Sequence, residues 1–172
     1  MKKLLALLGI LAAFSLMGCP KDSKDPVNPP ASDPIENPAE PEAPAFDGNV
    51  DLTKLAEYDE TAGGLVKDFG TAVNGYDVAF TYKLSDLGYT DEDFTTIVVV
   101  ADVYNGESKY DLASDWAARL MLRINQTVEV YNSGVDDATQ GIKFESKDDV
   151  LDIQVKDKPV TKVVVTAIKF VK

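Results

Sequence analysis

From Phe46 to Lys172 the apolar residues recur at a spacing of two far more often than at the helical 3.6. Tyr76, Val78, Phe80, Tyr82 and Leu84 alternate with Asp77, Ala79, Thr81 and Lys83, the pattern of a strand with one buried face. Asn74 and Gly75 precede it, the pair best able to hold φ > 0 at both centres of a tight turn, so residues 65–73 and 76–84 are expected to pair as a hairpin. Residues 95–104 are dense in β-branched side chains and apolar on both faces, which predicts a central strand. Asn105 and Gly106 repeat the hairpin signal, with residues 107–112 as the return strand. Trp116, Ala118, Leu120, Leu122 and Ile124 then alternate with Ala117, Arg119, Met121 and Arg123. That predicts a strand, with a helix as its rival over 113–122 because Ala, Leu, Met and Arg are good helix formers. Short strands are expected at 127–131, 141–144 and 151–155. In the last segment Val163 and Val165 share one parity and Ile168 and Phe170 the other, a switch that a β-bulge near Thr166 and Ala167 explains. Residues 52–58 read as a short helix, and 85–94 as a long loop with helical character. About eight strands with regular turns and no βαβ alternation predict an all-β fold, an antiparallel sandwich.

Upstream the pattern changes twice. Met1, Lys2 and Lys3 lead into an apolar run over 4–16, diluted only by Gly9 and Ser15. A run of thirteen is too short to cross a ~30 Å hydrocarbon core as a helix, so residues 1–18 are expected to be a cleaved targeting segment. Residues 20–45 hold eight of the nine prolines, six acids and two lysines, with only Val27 and Ile35 large and apolar. Such a stretch makes no core and is expected to be a disordered, extended spacer. At ~3.1 Å per residue it reaches roughly 80 Å.

Leu16, Met17, Gly18 and Cys19 close the leader, and Cys19 is the single cysteine, so the chain offers it no disulfide partner. This stretch resembles the bacterial lipobox, with Met17 where a small or β-branched residue is usual. The resemblance implies cleavage before Cys19 and acylation of its sulfur, hence a membrane partner reached through lipid. Each buried methylene adds about 0.8 kcal/mol, so two or three acyl chains anchor firmly. Pro20 and Lys21 follow where an aspartate would signal inner-membrane retention, and Lys21 with Asp22 is similar to the acidic export tag of Bacteroidetes surface lipoproteins. The expected address is the bacterial cell envelope, at the outer membrane or cell surface rather than the inner membrane.

The net charge of −12 divides into −10 for residues 46–172 (thirteen basic against twenty-three acidic), −4 for the spacer and +2 for the leader. An acidic surface repels phosphate backbones and anionic headgroups, which argues against nucleic acid and against direct membrane-surface binding. With no histidine in the chain, Ser-His and Cys-His nucleophiles and histidine metal sites are excluded. The remaining catalytic option is a carboxylate pair ~5 to 9.5 Å apart, but a domain this small has little room for a deep cleft, so no enzyme is expected. Asp91 to Asp93, Asp136 with Asp137, and Asp148 with Asp149 fall in loops and read as solvated charge. A structural calcium is the alternative there, although none has the spacing of a known calcium loop. No other cofactor is expected.

Residues 94–103, the turn Tyr104, Asn105, Gly106, Glu107, the stretch 117–122 and the closing Val163, Val165, Ile168 and Phe170 resemble the galactose-binding-like jelly rolls of carbohydrate-binding modules, over about 64–171. The resemblance implies glycan binding by aromatic platforms and polar side chains on one face or at the loop end, often with a structural calcium. The candidate residues are then Tyr89, Tyr104 and Tyr110, which lie in or beside loops, and Trp116, whose parity with Leu120 and Leu122 favours core packing instead. If 116–124 is a strand, Arg119 and Arg123 point away from the core. Asp102 and Tyr104 do so on the central strand if Ile97, Val99 and Ala101 point inward. Were those two strands neighbours, a mixed Arg, Asp and Tyr face would suit hydroxyl recognition; its plain alternative is an exposed cross-strand salt bridge. The expected function is a lipid-anchored, non-catalytic glycan-binding sandwich. The alternative is a structural or interaction lipoprotein with an envelope protein as partner, marked by an uncovered apolar patch such as Val98, Val100 and Met121.

Overall fold

The computed structural model describes residues 46–90 and 93–172. The leader, Cys19, the proline-rich stretch, Asp91 and Glu92 lie outside the described residues. In one sheet β2 (Gly64–Val73), β10 (Val160–Val171) and β4 (Thr96–Asn105) lie side by side, with β1 (Tyr58–Asp59) beyond β2, and with β5 (Ser108–Lys109) and β8 (Ile142–Lys143) both paired to β4. The second sheet runs β3 (Val78–Lys83), β9 (Val150–Gln154), β6 (Leu120–Ile124), β7 (Val128–Asn132). Every strand pair is antiparallel. Apart from the flanking β1 and β5, the strands divide into β2-β10-β4-β8 and β3-β9-β6-β7, the connectivity of a jelly roll. The protein is an all-β antiparallel sandwich.

Period-two patterning builds the core. Ile97, Val99, Ala101 and Val103 of β4, with Val163, Val165, Ile168 and Phe170 of β10, face Leu120, Leu122 and Ile124 of β6, Leu151 and Ile153 of β9 and Phe80 of β3. Each large side chain so buried contributes about 1.5–3 kcal/mol against leaving it in water. The parity switch in β10 is resolved as expected: Val165 pairs with Ala101 but Ala167 with Val100, so Thr166 is the extra residue of a bulge and both apolar pairs face inward.

The hairpin expected across Asn74 and Gly75 does not form. β2 pairs with β10 and β3 with β9, and the turn carries the chain from one sheet to the other. Of the two turn residues only Gly75 has positive φ (104°), whereas a type I′ turn needs both. The physical reason is burial: on opposite sheets both strands turn their apolar sides to the same core, which a local two-stranded ribbon cannot supply. A I′ turn appears instead at Asn125 and Gln126 (φ 51° and 61°), closed by the Thr127 N–H donating to Ile124 O at 3.0 Å. The second Asn-Gly turn does make a hairpin, centred on Gly106 and Glu107 with Asn105 opposite Ser108, but its return strand is only two residues long.

Between β8 and β5 the edge of β4 is closed by a loop: the Ala101 N–H donates to Gly134 O at 2.9 Å, and Tyr110 N–H to Val103 O at 2.9 Å. Gly134 sits at φ 73°, and a Cβ there would lie 2.5 Å from both Ala101 O and Leu112 Cδ1. Helical expectations reduce to single 3₁₀ turns: Leu52–Lys54 capped by Asp51, Leu84–Leu87, and Trp116–Ala118 capped by Asp115. In the contested stretch 113–122, strand geometry begins only at Leu120. The first described residues run along the end of β10. Phe46 packs edge-on against Phe94 and Phe170 at 5.6 and 5.5 Å, Phe170 N–H donates to Gly48 O at 2.7 Å, and Val50 N–H to Ile168 O at 3.0 Å.

Candidate functional site

Because Leu151, Ile153, Leu120 and Leu122 face the core, Asp152, Gln154, Met121 and Arg123 lie on the other side of the second sheet, where Met121, Asp152 and Gln154 are buried and Arg123 is partly exposed. Register aligns Val78, Gln154, Met121 and Tyr131 in one row across the four strands, and Thr81, Asp152, Arg123 and Glu129 in the next. At ~4.8 Å between strands each row is about 14 Å wide, and the rows are about 7 Å apart. Thr81 Oγ1 donates to Asp152 Oδ1 at 2.7 Å, and the Arg123 guanidinium donates to Gln126 O and lies 3.8 Å from Glu129. Gln154 Oε1 is buried with no hydrogen-bond partner, an acceptor left without its donor.

At the end of these rows stands Trp116, 52% exposed. Its ring centroid is 5.1 Å from that of Tyr131, with the planes 57° apart. The Lys156 ammonium lies 3.1 Å from the Trp116 centroid and 4.8 Å from that of Tyr131, and 2.7 Å from Asp157 Oδ2. That carboxylate contact is close but off the hydrogen-bond axis, so charge and the two ring faces hold the buried ammonium rather than a directed bond.

The loop that presents Trp116 is braced throughout. The Tyr110 hydroxyl donates to Pro159 O at 2.9 Å. Asp111 accepts from Ser114 Oγ and from the Ala113 N–H, bonds that hold its carboxyl below the usual carboxylate range. Asp115 caps the 3₁₀ turn through the Ala117 N–H and lies 3.4 Å from Lys158. Arg119 donates through Nε to Leu112 O at 2.9 Å and through Nη2 to Ala113 O at 2.8 Å.

Four expectations are corrected by this geometry. Trp116 is not a core residue: the strand starts at Leu120, so parity with Leu120 does not reach it, and the 3₁₀ turn swings its ring outward. Arg119 and Arg123 do not share a face with Asp102 and Tyr104, because β6 and β4 belong to different sheets. Tyr89 is buried, stacked on Phe170 at 5.2 Å and edge-on to Phe144 at 4.9 Å, and so offers no platform. Val98 and Met121 are both buried and lie on different sheets, so they form no shared apolar patch with Val100.

On the first sheet Asp102 meets Lys109 at 2.9 Å, Tyr104 OH donates to Asp102 at 3.4 Å, and Lys162 lies over the Tyr104 ring at 4.6 Å. Burial, then the Asp102 charge, raises the Tyr104 phenol, while the bond to Asp102 raises Lys109. Tyr110 and Arg119 serve as braces for Trp116 rather than as contact residues. Tyr131, Lys156, Gln154 and Asp152 were missed as site residues, although the alternation of Asp152, Gln154 and Lys156 with Leu151, Ile153 and Val155 already places them on one face.

The loop acids have structural partners. Asp148 pairs with Lys83 at 2.7 Å, Asp136 with Lys169, and Asp137 caps the turn at Ala138–Gln140. For Asp149, burial alone would raise the carboxyl, but the Glu145 N–H, the Asn125 amide and the Ser146 N–H together hold it low. Among the described residues no three acids come together to hold a metal ion. A hollow of about 700 Å³ opens beside Tyr89, Phe94, Phe144, Glu145 and Ser146. Its rings pack into the core cluster, and the Glu145 and Ser146 N–H groups already bond Asp149. The Trp116 face is shallower but presents an exposed ring beside hydrogen-bonding side chains, and it is the better candidate. Compared with family models, curated proteins and solved structures, the chain matches none.

Proposed function

We propose that this protein is a lipid-anchored, non-catalytic carbohydrate-binding sandwich of the bacterial cell envelope, with the exposed Trp116 edge of the second sheet as its binding surface. The observation that carries the reading is Trp116: a half-exposed indole, fixed by Lys156 and Tyr131 and flanked by side chains able to bond hydroxyls. Sugar rings present C–H faces that suit an aromatic plane and a rim of hydroxyls that suit carboxylates, amides and guanidinium groups. Preorganisation favours the role, since a braced ring loses little freedom on binding. The lipobox-like Leu16 to Cys19 and the proline-rich stretch after it support the anchored, outward-reaching placement. The test is a glycan array probed with the chain carrying Cys19→Ser and lacking the leader, beside the same chain carrying Trp116→Ala. Binding that disappears in the variant, with an unchanged urea midpoint, supports the reading. Absence of any glycan signal, together with specific capture of one envelope protein, sinks it in favour of an interaction lipoprotein.

A further inference from the structure

We infer that the saccharide this face takes is neutral and presented as a free chain, one ring at a time, and is neither an anionic glycan nor the flat surface of a packed polysaccharide. This rests on the carbohydrate reading above. Two independent features carry it.

The first is charge. Beside Trp116 or on the adjoining strands, the cations Lys156, Lys158, Arg119 and Arg123 stand among the acids Asp111, Asp115, Asp157 and Glu129 and the buried Asp152. Each of these cations is already engaged: Lys156 by Asp157 and the two rings, Lys158 by Asp115, Arg119 by two carbonyl oxygens, and Arg123 by Gln126 O and Glu129. The carboxylates of Asp157 and Glu129 are nearly half exposed, at 47% and 44%, and accept hydrogen bonds only. Hydroxyl donors satisfy them, whereas a uronate or sulfate would have to break an existing pair and approach a domain of net charge −10.

The second feature is the shape of the aromatic pair. Planes 57° apart share no common surface, and the Lys156 ammonium covers one face of the indole. A single open aromatic face matches one pyranose ring. A packed polysaccharide sheet, pressed flat, would touch one ring and stand off from the other. A free chain can instead turn after its first ring toward the half-exposed carboxylates of Asp157 and Glu129.

Trp116 is the single tryptophan, so intrinsic fluorescence of the full chain reports on this ring alone. The experiment titrates the chain with soluble neutral hexasaccharides of glucose, xylose, mannose and galactose, and with oligogalacturonate and a sulfated heparin fragment. In parallel it is sedimented with insoluble cellulose and chitin. The expected result is a saturable emission change with at least one neutral oligosaccharide, an affinity that holds between low and high salt, at least tenfold weaker response to both anionic probes, and no co-sedimentation. Tight binding of an anionic probe that weakens with salt, or co-sedimentation abolished by Trp116→Ala, would overturn the inference while leaving the carbohydrate reading in place. If none of the saccharides changes the emission or carries the chain down, the carbohydrate reading itself fails and takes the inference with it.

Discussion

Gly134 and Gly106 both sit at positive φ, 73° and 60°, yet alanine should cost very different amounts at the two positions. At Gly106 an added Cβ meets no atom within 4 Å, so only the backbone conformation is penalised. A left-handed alanine costs about 1–2 kcal/mol, and restriction of the unfolded chain returns roughly 0.4–1, leaving about 1 kcal/mol or less. At Gly134 the same balance applies, but the Cβ also lies 2.5 Å from Ala101 O, a backbone atom that cannot rotate away, and 2.5 Å from Leu112 Cδ1. Relieving that overlap adds about 1–3 kcal/mol, and shifting the loop endangers the Ala101–Gly134 hydrogen bond, worth roughly another 1 kcal/mol. Gly134→Ala is therefore expected to destabilise by about 3 kcal/mol, and Gly106→Ala by about a third of that. Urea unfolding followed by far-UV circular dichroism measures both from midpoints and slopes. Equal effects would refute the claim that the loop is pressed against the β4 edge, since φ is then the whole penalty. Greater loss at Gly106 would refute it more strongly.

Two further outcomes follow from particular residues. Burial, reinforced by the bond to Glu57, raises the Tyr82 phenol well above its ordinary value. A phenol that ionises more easily unfolded than folded stabilises the fold fully below the unfolded pKa of ~10, and that contribution fades as pH climbs above it. Stability should thus fall above pH ~10 in the parent and fall less in Tyr82→Phe, as read by urea midpoints from pH 8 to 11; identical profiles would count against the assignment. At the other end of the chain, metabolic labelling with an alkyne fatty acid should mark the parent and not Cys19→Ala, and equal labelling would remove the lipid anchor from the account.

Much of the fold was legible because a strand's alternation is a local property that burial then enforces. The bulge near Thr166 follows from parity alone, whereas on β4, apolar on both faces, parity left open that Ile97, Val99 and Ala101 are the inward set. Pairing is not local. Asn74 and Gly75 carry a hairpin signal, yet the strands on either side go to opposite sheets, because pairing with β10 and with β9 turns both apolar sides to the one core. Asn125 and Gln126 carry a weaker signal and make the I′ turn, held by the Asn125 amide bonding Asp149 and the Val150 N–H, contacts with residues 24 and 25 positions away. The same limit blurred the site. Of the residues expected on one face, Arg123 has Asp152 and Glu129 as its cross-strand neighbours instead of Asp102 and Tyr104. Which strand neighbours β6 is decided by the whole sandwich.

The clasp of Phe46 on Phe94 and Phe170 also decides how the domain answers to pulling. Force arriving along the chain from the N-terminal side enters at Phe46 and passes to β10, through the backbone bonds at Gly48 and Val50 and the two ring contacts. β10 pairs with β4 from Lys162 to Val171 but with β2 only between Val160 and Val165, so tension entering near Phe170 passes first into β4 and reaches β2 further along. The strands beneath Trp116 and Tyr131, β6, β7 and β9, belong to the other sheet and stand off that load path. Under the anchored reading proposed above, a pull on the N-terminal side leaves the sheet that carries Tyr131 off the direct line of load.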